Sequence, residues 1–571
     1  MSFPSLRIGG VERVPFAAIV IAGGPPVVLL SAHTPWWVVA LVCGALLVLV
    51  TVRVGGRTGV RILLDRIAYR AGYAARAAAR AAPLPITDVA VPAGVCGIGG
   101  RDGVLVAMIQ LAPNLDLPTV VTEASLYTED TIGIAELYPM LDQFGVGVDI
   151  DVVTTGRRVR ADGGYSMLYD QLIGTHPVVG DRRTWLVVRL DQRRDLVALA
   201  RRGPVEVTGP QALATAAHRI ANRLRERGIA AHALPAGALR EAIRSLHAGV
   251  ELDELRETWR QLESSVPGRS VTSFAIDWPR LGETGLDDCW SWSRGHTTLV
   301  IGLSAAAAGP RALVRYVGPP VSSAVPEYLR PLGGAQSAAL LASLPGVVAV
   351  GRLRGAESGA DIAPAELVAR LALPIGPNGQ ILGAISGQPR HSLALPLFDP
   401  ARYNPRRRAV DVHAVLPVAQ QIVLRAMVVG ADIEVHTARP QSWQQLVAAV
   451  GDDRSLRLVD TYAAEPDSPR EPPATIAVFD QLPPHGSEAP TTVTINELGG
   501  PRQRSADLAI TQVGATAVDV SIPMRTVRVE LIEPRGETRY VDPADGPRTP
   551  SAPAGSTVPR AIPPTGGRRV S

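Results

Sequence analysis

The chain contains no lysine, and all 57 of its basic residues are arginine. A chain without lysine cannot form a Schiff base with a carbonyl substrate, anchor pyridoxal phosphate or supply a Walker A lysine to a nucleotide. These enzyme classes are therefore excluded on chemical grounds. The three cysteines, Cys43, Cys96 and Cys289, lie far apart and form no Cys-x-x-Cys pair. The sequence thus suggests neither a zinc site nor a disulfide framework.

Aromatic residues (4%) and charged residues (19%) are also few, whereas apolar residues occupy 46% of the 571 positions. The mean hydropathy of +0.14 is high for a wholly soluble chain, so part of the apolar excess is expected in lipid. The near balance of 57 basic and 53 acidic residues argues against a chain built to coat nucleic acid. At this length we expect more than one structural unit.

Two apolar runs without charge lie near the N-terminus, at residues 14–32 and 36–52. Each approaches the ~20 residues that cross a bilayer, and the short link between them allows only a tight helical hairpin. The first run contains two adjacent glycines and two adjacent prolines, so a broken or re-entrant segment is the alternative. A cleaved signal peptide fits less well, because no small-x-small cleavage site follows and the second run would still anchor the chain.

Arginines mark one side of these runs. Arg7 and Arg13 precede the first run, a series begins at Arg53 after the second, and the link has none. The positive-inside rule then places both termini in the cytoplasm. Residues 57–85 mix arginine with alanine and predict a basic helical stem, which either lies on anionic headgroups or simply continues the second span.

Small residues in the predicted spans would let a neighbouring helix approach closely, and paired prolines would leave carbonyls that need a protein partner. The arginines just after the second span would meet lipid headgroups. The residues predicted on these grounds to contact partner helices or the bilayer are Gly23, Gly24, Pro25, Pro26, Gly44, Arg57 and Arg61.

Beyond the stem, a pattern of helix, glycine and strand occurs three times, with the glycine at Gly145, Gly228 and Gly430. Glycine past a helix supplies a left-handed cap, and alternation of helix and strand predicts α/β layers. After residue 475, short strand patterns without helices predict an antiparallel, β-rich part. Further predicted strands lie at residues 104–111, 185–190, 297–303 and 312–317, and further helices at 239–246 and 252–262.

The predicted fold class is therefore two N-terminal transmembrane helices followed by a cytosolic α/β region with a C-terminal β-rich part. Prolines and glycines cluster near residues 318–335, and a Pro/Gly/Ser-rich composition follows residue 541. The predicted units are a transmembrane hairpin, a basic stem, a cytosolic α/β domain, a second α/β and β-rich region and a disordered tail, at residues 1–56, 57–85, 86–325, 326–540 and 541–571.

No catalytic constellation emerges. The glycines between Gly94 and Gly103 miss the dinucleotide fingerprint because Asp102 stands at a glycine position, so a hairpin turn is favoured. Asp149 and Asp151 have the spacing with which some glycosyltransferases hold a metal and a sugar nucleotide, although two acids at a strand end are common.

Other polar residues favour a structural interpretation. The acids around Cys289, together with His296, match no known nucleophile spacing. His413 and His436 lie on apolar elements and are interpreted as core or surface histidines.

Two segments carry a resemblance to a known family. One is Trp290-Ser-Trp292-Ser-Arg294-Gly-His296-Thr297-Thr298-Leu299, followed by Arg311-Ala-Leu-Val-Arg315-Tyr316, and the other runs from Gly430 through His436-Thr437 to Arg439 and Trp443. With the apolar runs, the basic stem and the α/β region, they resemble the EccE component of mycobacterial type VII secretion systems over most of residues 10–460. Residues beyond about 465 show no such likeness.

The resemblance implies an inner-membrane complex with EccB, EccC and EccD, in which EccC is the ATPase and EccE a peripheral, non-enzymatic subunit. The sequence thus predicts a multi-pass membrane subunit without cofactor, metal or nucleic acid, which contacts EccB-, EccC- and EccD-like subunits and the lipid bilayer. The alternative is a membrane-tethered, glycosyltransferase-like enzyme that uses Asp149 and Asp151.

Overall fold

The structure is a computed structural model that describes residues 35, 37–38, 41, 53–54, 57–58, 66–67 and, with short gaps, 69–541. The longest gaps in that last range are residues 354–361 and 460–472. Strands are the most abundant regular element of the described chain, and they form two large sheets and two small ones.

The strands of the first half, in chain order, are β1 (Arg53–Val54), β2 (Arg57–Thr58), β3 (Ile86–Val91), β4 (Gly94–Arg101), β5 (Val104–Leu111), β6 (Thr119–Val121), β7 (Leu126–Tyr127), β8 (Thr131–Gly133), β9 (Asp149–Gly156), β10 (Arg183–Asp191), β11 (Ala231–Ala233), β12 (Arg256–Glu257), β13 (Leu262–Glu263), β14 (Ser270–Ile276), β15 (His296–Leu303), β16 (Arg311–Gly318) and β17 (Leu329–Pro331). Those of the second half are β18 (Ala372–Pro374), β19 (Gln380–Ile385), β20 (Gln388–Leu395), β21 (Arg408–His413), β22 (Ile433–Thr437), β23 (Leu456–Leu458), β24 (Ile476–Asp480), β25 (Thr491–Asn496), β26 (Leu508–Gln512), β27 (Ala517–Ile522) and β28 (Arg525–Leu531).

The α-helices are α1 (Tyr73–Ala81), α2 (Gly164–Ile173), α3 (Leu196–Ala200), α4 (Val205–Glu226), α5 (Ala236–Leu246), α6 (Trp278–Leu281), α7 (Asp288–Ser291), α8 (Gln336–Ala342), α9 (Ala365–Arg370), α10 (Leu416–Val428) and α11 (Gln441–Val450). Short 3-10 helices lie at Ile134–Met140, Val350–Arg352 and Glu537–Arg539.

The first large sheet is antiparallel throughout, in the order β12-β13-β14-β16-β15-β9-β10-β5-β4-β3, with β11 on β5 and β17 on β14. Its middle strands β9, β10, β15 and β16 are buried along almost their whole length, because runs of valine, leucine and threonine suit a sheet covered on both faces. Apolar cores lie on each face, one under α4 and the other under α5 and α8.

The second large sheet has the order β23-β22-β24-β25-β21-β26-β27-β28-β19-β20-β6-β7. Its first six strands are parallel and the remainder are antiparallel. Parallel strands that follow one another along the chain need a crossover, and α10 supplies it between β21 and β22, which are separated in the sheet by β24 and β25. Helix α10 packs on α2 and on the sheet and is buried along most of its length.

Segments from both halves of the chain share these sheets. Strand β6 pairs with β20, and β8 pairs with β18 in a small separate sheet. Tyr165 and Tyr169 of α2 lie in the core of the second large sheet. The predicted boundary between residues 86–325 and 326–540 stays a prediction, and nearly all of the predicted tail lies outside the described residues.

The predicted fold class is corrected by two findings. No helix in the described part of the chain is long and apolar enough to cross a membrane, and two large sheets dominate the architecture there. The apolar runs that suggested the two N-terminal transmembrane helices fall almost entirely outside the described residues, and Arg53–Val54 pairs with Arg57–Thr58 as a short hairpin just after the second run. The prediction used run length and missing charge alone, which do not fix a helix.

The predicted antiparallel C-terminal part is also wrong in its first strands. Strands β24 and β25 pair in parallel with each other, and β25 pairs in parallel with β21. Strand β21 comes from a distant part of the chain, and β24 and β25 are consecutive yet parallel, so the local spacing of strands does not reveal their direction.

The predicted helix at residues 252–262 is wrong as well, since β12 and β13 form an antiparallel pair there. The side chain of Glu257 is fully buried and pairs with Arg76 of α1 at 2.6 Å, while Arg80 Nη1 lies 3.8 Å away. A buried carboxylate needs such partners, and this tertiary requirement outweighs local helix propensity. Helix α1 is thereby fixed against the first sheet.

Candidate functional site

A cavity of about 930 Å³ and an adjoining one of about 350 Å³ share Arg157, Arg160, Asp181 and Arg183 in their walls. We call the two together the arginine cleft. The larger chamber is also lined by Arg158, Arg269 and Asp170, and the smaller by Arg402, Arg454, Asp432 and Asp452. Seven arginines thus face four aspartates, which leaves the cleft positively charged.

Tight packing at one glycine brings these arginines together. Strand β9 ends at Gly156, and a Cβ there would lie 2.9 Å from Val179 Cγ1 and 3.0 Å from Arg182 Cα. Only glycine lets the residues before β10 cross so close to the end of β9. The crossing places Arg157 and Arg183 on the same edge of the sheet, where Arg183 is paired in register with Thr155.

Arg160 fastens this edge to the second sheet. Its guanidinium donates to the carbonyls of Met427 at 2.8 Å and Ala431 at 2.7 Å, and to Asp432 Oδ1 at 2.5 Å. Carbonyls at a helix end lack intrahelical partners and attract cations. Arg160 therefore serves the structure, because its donors are used by the end of α10 and by the start of β22.

Two more arginines of the cleft have internal partners. Arg157 Nε lies 3.3 Å from Asp181 Oδ2, and the backbone N–H of Arg157 donates to Asp181 Oδ1 at 2.7 Å. Arg158 Nε lies 3.1 Å from Asp170 Oδ1. Burial lowers the pKa of Arg158, while Asp170 raises it. These charges are largely neutralised within the chain.

Arg183 differs from them. Its Nε is buried without a hydrogen-bond partner, and its guanidinium makes no ion pair within the described residues. It lies 5.8 Å from the ring centroid of Trp185. Burial lowers the pKa of Arg183, Asp181 raises it, and the nearby Arg402 lowers it again. Among the described cleft residues, the Nε of Arg158 also lacks a hydrogen-bond partner, but it lies beside Asp170, whereas the Nε of Arg183 has no carboxylate within ion-pair distance.

His296 lines the larger chamber at the start of β15. Its Nδ1 lies 3.3 Å from Thr155 Oγ1. Burial lowers the pKa of His296 to about 3, with Asp181 opposing the shift and neighbouring arginines adding to it. The imidazole is therefore neutral near pH 7 and is a poor general acid there.

The first family-like motif proves to be mainly a packing motif. Trp290 is buried beneath Arg182, whose guanidinium carbon lies 5.3 Å from the indole centroid. Trp292 packs edge-on against Tyr316 at 5.0 Å. Arg315 is fully buried and donates to Ser343 Oγ at 2.7 Å, and burial lowers its pKa to about 9.

The second motif surrounds a carboxylate that the sequence analysis missed. Asp480 is fully buried at the end of β24 and accepts hydrogen bonds from Thr437 Oγ1 at 2.8 Å and Trp443 Nε1 at 2.9 Å. Arg439 Nε and Nη2 add donors at 2.9 and 2.8 Å. The sequence offered one signal for this site, because the acidic residue Asp480 comes directly after an apolar strand pattern. The ring of His436 stacks on Phe479 at 4.8 Å.

The amino-acid sequence is similar to a known protein family and to several curated proteins. A family model described as "Putative type VII ESX secretion system translocon, EccE" matches residues 178–276, a range that includes Arg183 and all of β10. The chain resembles the EccE family over that range. It is 28% identical over 351 residues to the ESX-2 secretion system protein EccE2 of Mycobacterium tuberculosis strain CDC 1551, which covers 61% of each chain.

Two further relatives belong to other secretion systems. The ESX-1 secretion system protein EccE1 of Mycolicibacterium smegmatis is 29% identical over 243 residues, or 42% of this chain and 49% of that protein. The ESX-5 secretion system protein EccE5 of Mycobacterium marinum is 31% identical over 229 residues, or 38% and 55%. This chain thus spans about half to six-tenths of the length of these curated relatives.

The two carboxylates of Asp149 and Asp151 already pair with arginines of the chain. Asp151 is buried and bonded to Arg189, and Asp149 Oδ1 lies 2.9 Å from Arg194 Nη1. Burial raises the pKa of Asp151, and Arg189 lowers it. No group of His, Cys, Asp and Glu in the described part of the chain could hold a metal ion. The glycosyltransferase-like alternative therefore loses the ligands on which it depends.

Cys289 and His413 are also buried in the core. Burial raises the pKa of the Cys289 thiol far above its usual range, so it is not a ready nucleophile. His413 Nε2 lies 2.9 Å from Asp411 Oδ2, and both side chains are buried. Of the residues predicted to contact partners or lipid, the backbone of Arg57 lies in β2, and the others lie outside the described residues: Gly23, Gly24, Pro25, Pro26, Gly44 and Arg61.

Proposed function

We propose that this EccE-family chain is a structural subunit of a type VII secretion complex, and that it acts by protein contact and not by catalysis. The observation that carries the proposal is the match to relatives that are named as ESX-1, ESX-2 and ESX-5 secretion system proteins. The site supports it, because Asp149, Asp151 and Cys289 are committed to internal bonds or burial.

The proposed partners are EccB-, EccC- and EccD-like subunits of a complex at the inner membrane, with the two large sheets on its cytoplasmic side. This assignment follows from the family resemblance. It assigns the ATPase chemistry to another subunit, in keeping with a chain that has no lysine for a Walker A loop. No nucleic acid takes part.

The test is purification of the full chain, with an affinity tag at its C-terminus, from membranes in mild detergent, followed by mass spectrometry. We expect the partner subunits to copurify, and we expect deletion of the gene to stop export of the locus's substrates. Re-introduction of the unaltered gene is the control. Export that continues after deletion, together with a chain that purifies alone, would overturn the proposal.

A second measurement tests the excluded alternative. Purified chain should show no binding of a sugar nucleotide with Mn²⁺ in isothermal titration calorimetry, because the two carboxylates that such an enzyme would use already pair with Arg189 and Arg194. Metal-dependent binding that is lost in Asp149→Asn would restore the enzyme interpretation.

A further inference from the structure

We propose that the arginine cleft binds an acidic peptide segment of a partner protein, in which carboxylates alternate with apolar side chains. This inference rests on the proposed function, since it specifies the chemistry of one contact that a protein-binding subunit would make. Nothing in the comparisons assigns a ligand or partner to this cleft.

The cleft keeps positive charge after its internal ion pairs are formed. Asp181, Asp170 and Asp432 are committed to arginines on the cleft's own walls. Arg402 lies no nearer than 4.0 Å to the already occupied Asp432. Arg269 donates to the carbonyl of Gly249 at 2.9 Å, which leaves its positive charge uncompensated.

Arg183 has a buried Nε donor that lacks a hydrogen-bond partner. A buried donor without a partner costs free energy in the unliganded chain, and a charged donor costs most. A carboxylate matches the planar fork of a guanidinium and can accept two parallel hydrogen bonds from it. A ligand with a carboxylate would therefore remove this cost at Arg183, which both chambers of the cleft share.

Exposed apolar side chains in the larger chamber favour a peptide over a small anion as the ligand. Met167 and Val266 line the larger chamber, yet 69% and 47% of their surface is exposed. Apolar side chains beside unpaired arginines fit a peptide that offers both kinds of group, whereas a phosphate offers nothing to the apolar pair. The volume of about 930 Å³ also lies in the range of pockets that enclose ligands much larger than one anion.

The probe is a short fluorescein-labelled peptide of alternating aspartate and leucine, added to the purified full chain in detergent and followed by fluorescence anisotropy. A peptide of asparagine and leucine and one of aspartate and serine serve as controls. We expect only the first to bind well. Arg183→Gln should weaken its binding roughly tenfold or more, as expected for loss of a charge-assisted hydrogen bond.

Arg223→Gln is the matched control variant, because Arg223 is an exposed arginine of α4 outside the cleft. It should leave the affinity unchanged. Met167→Asp tests the apolar part at an exposed position where folding is not at risk, and it should also weaken binding. This second variant keeps the test decisive if Arg183→Gln fails to fold.

Three results would overturn the inference: no binding of the aspartate-leucine peptide, equal losses in Arg183→Gln and Arg223→Gln, or displacement of the peptide by inorganic phosphate at the peptide's own concentration. The last result would mean a small-oxyanion site. If the chain copurifies with its partners but binds no peptide, the peptide ligand inferred for the cleft is wrong and the proposed function stands. A chain that binds the peptide but never copurifies would refute the proposed function.

Discussion

Replacing Asp480 by asparagine should destabilise the second sheet markedly. The carboxylate accepts four hydrogen bonds from Thr437, Arg439 and Trp443. An asparagine amide offers one oxygen and turns an NH₂ group toward other donors, so at least one of the four bonds is lost and the arginine loses its counter-charge. The side chain of Asp480 is fully buried, so water cannot replace those bonds.

Breaking a buried ion pair costs about 3–5 kcal/mol. The side chain of Arg439 is 28% exposed and can recover some solvation, so we expect a loss near the lower limit, ~3 kcal/mol. The assay is urea unfolding of the full chain, followed by circular dichroism and by tryptophan fluorescence. Because a chain of this size can unfold in steps, the midpoint of each resolved transition is compared between the variant and the unaltered chain.

The matched control is Asp519→Asn. Asp519 pairs with Arg528 at 2.7 Å between β27 and β28, but its side chain is 24% exposed and that of Arg528 is 56% exposed. An exposed pair contributes about 0–1 kcal/mol. If Asp480→Asn and Asp519→Asn shift the unfolding midpoint equally, the argument that burial makes the Asp480 cluster essential is refuted.

Two other predictions use the same unfolding assay. Asp151→Asn should lower the free energy of unfolding by ~3 kcal/mol or more, because it leaves the buried Arg189 unpaired. Asp149→Asn should lower it by under about 1 kcal/mol, because Arg194 is 30% exposed. Equal losses in the two variants would contradict this prediction. The folded pKa of His296 is about 3 and the unfolded value is about 6.5, so the unfolded chain binds more protons and stability rises with pH between those values. His296→Gln should remove up to ~1.4 kcal/mol of that rise per pH unit, and an unchanged slope between about pH 4.5 and 6.5 would count against it.

Several strands follow directly from the sequence. The predicted strand at residues 185–190 is confirmed as the core of β10, and that at 312–317 as the core of β16. Both contain closely spaced valine and leucine residues, which favour the β conformation and are buried on both faces of the sheet. The predicted helix at 239–246 is confirmed within α5 for a similar reason, since its apolar spacing matches one buried face.

The cleft and the ion pairs could not be derived in this way. Arg439 and Asp480 lie 41 residues apart, and Arg160 and Asp432 lie 272 apart. Which arginine meets which aspartate depends on how β9, β10 and α10 are assembled, and periodicity contains no information about that. In a chain whose cations are all arginine, composition does not mark Arg183, which makes no ion pair within the described residues.

The attachment of α1 to Glu257 has a mechanical consequence. A pull on the chain before Tyr73 would reach the first sheet through Arg76 and arrive at β12, which belongs to a hairpin of two-residue strands. That hairpin is joined to β14 by two register pairs, Leu262 with Val271 and Glu263 with Ser270. Glu257 also accepts a hydrogen bond from the backbone N–H of Ser337 in α8 at 3.2 Å, so a load would be shared between this hairpin and α8, and we expect the short hairpin to separate from the sheet edge before the long central strands do.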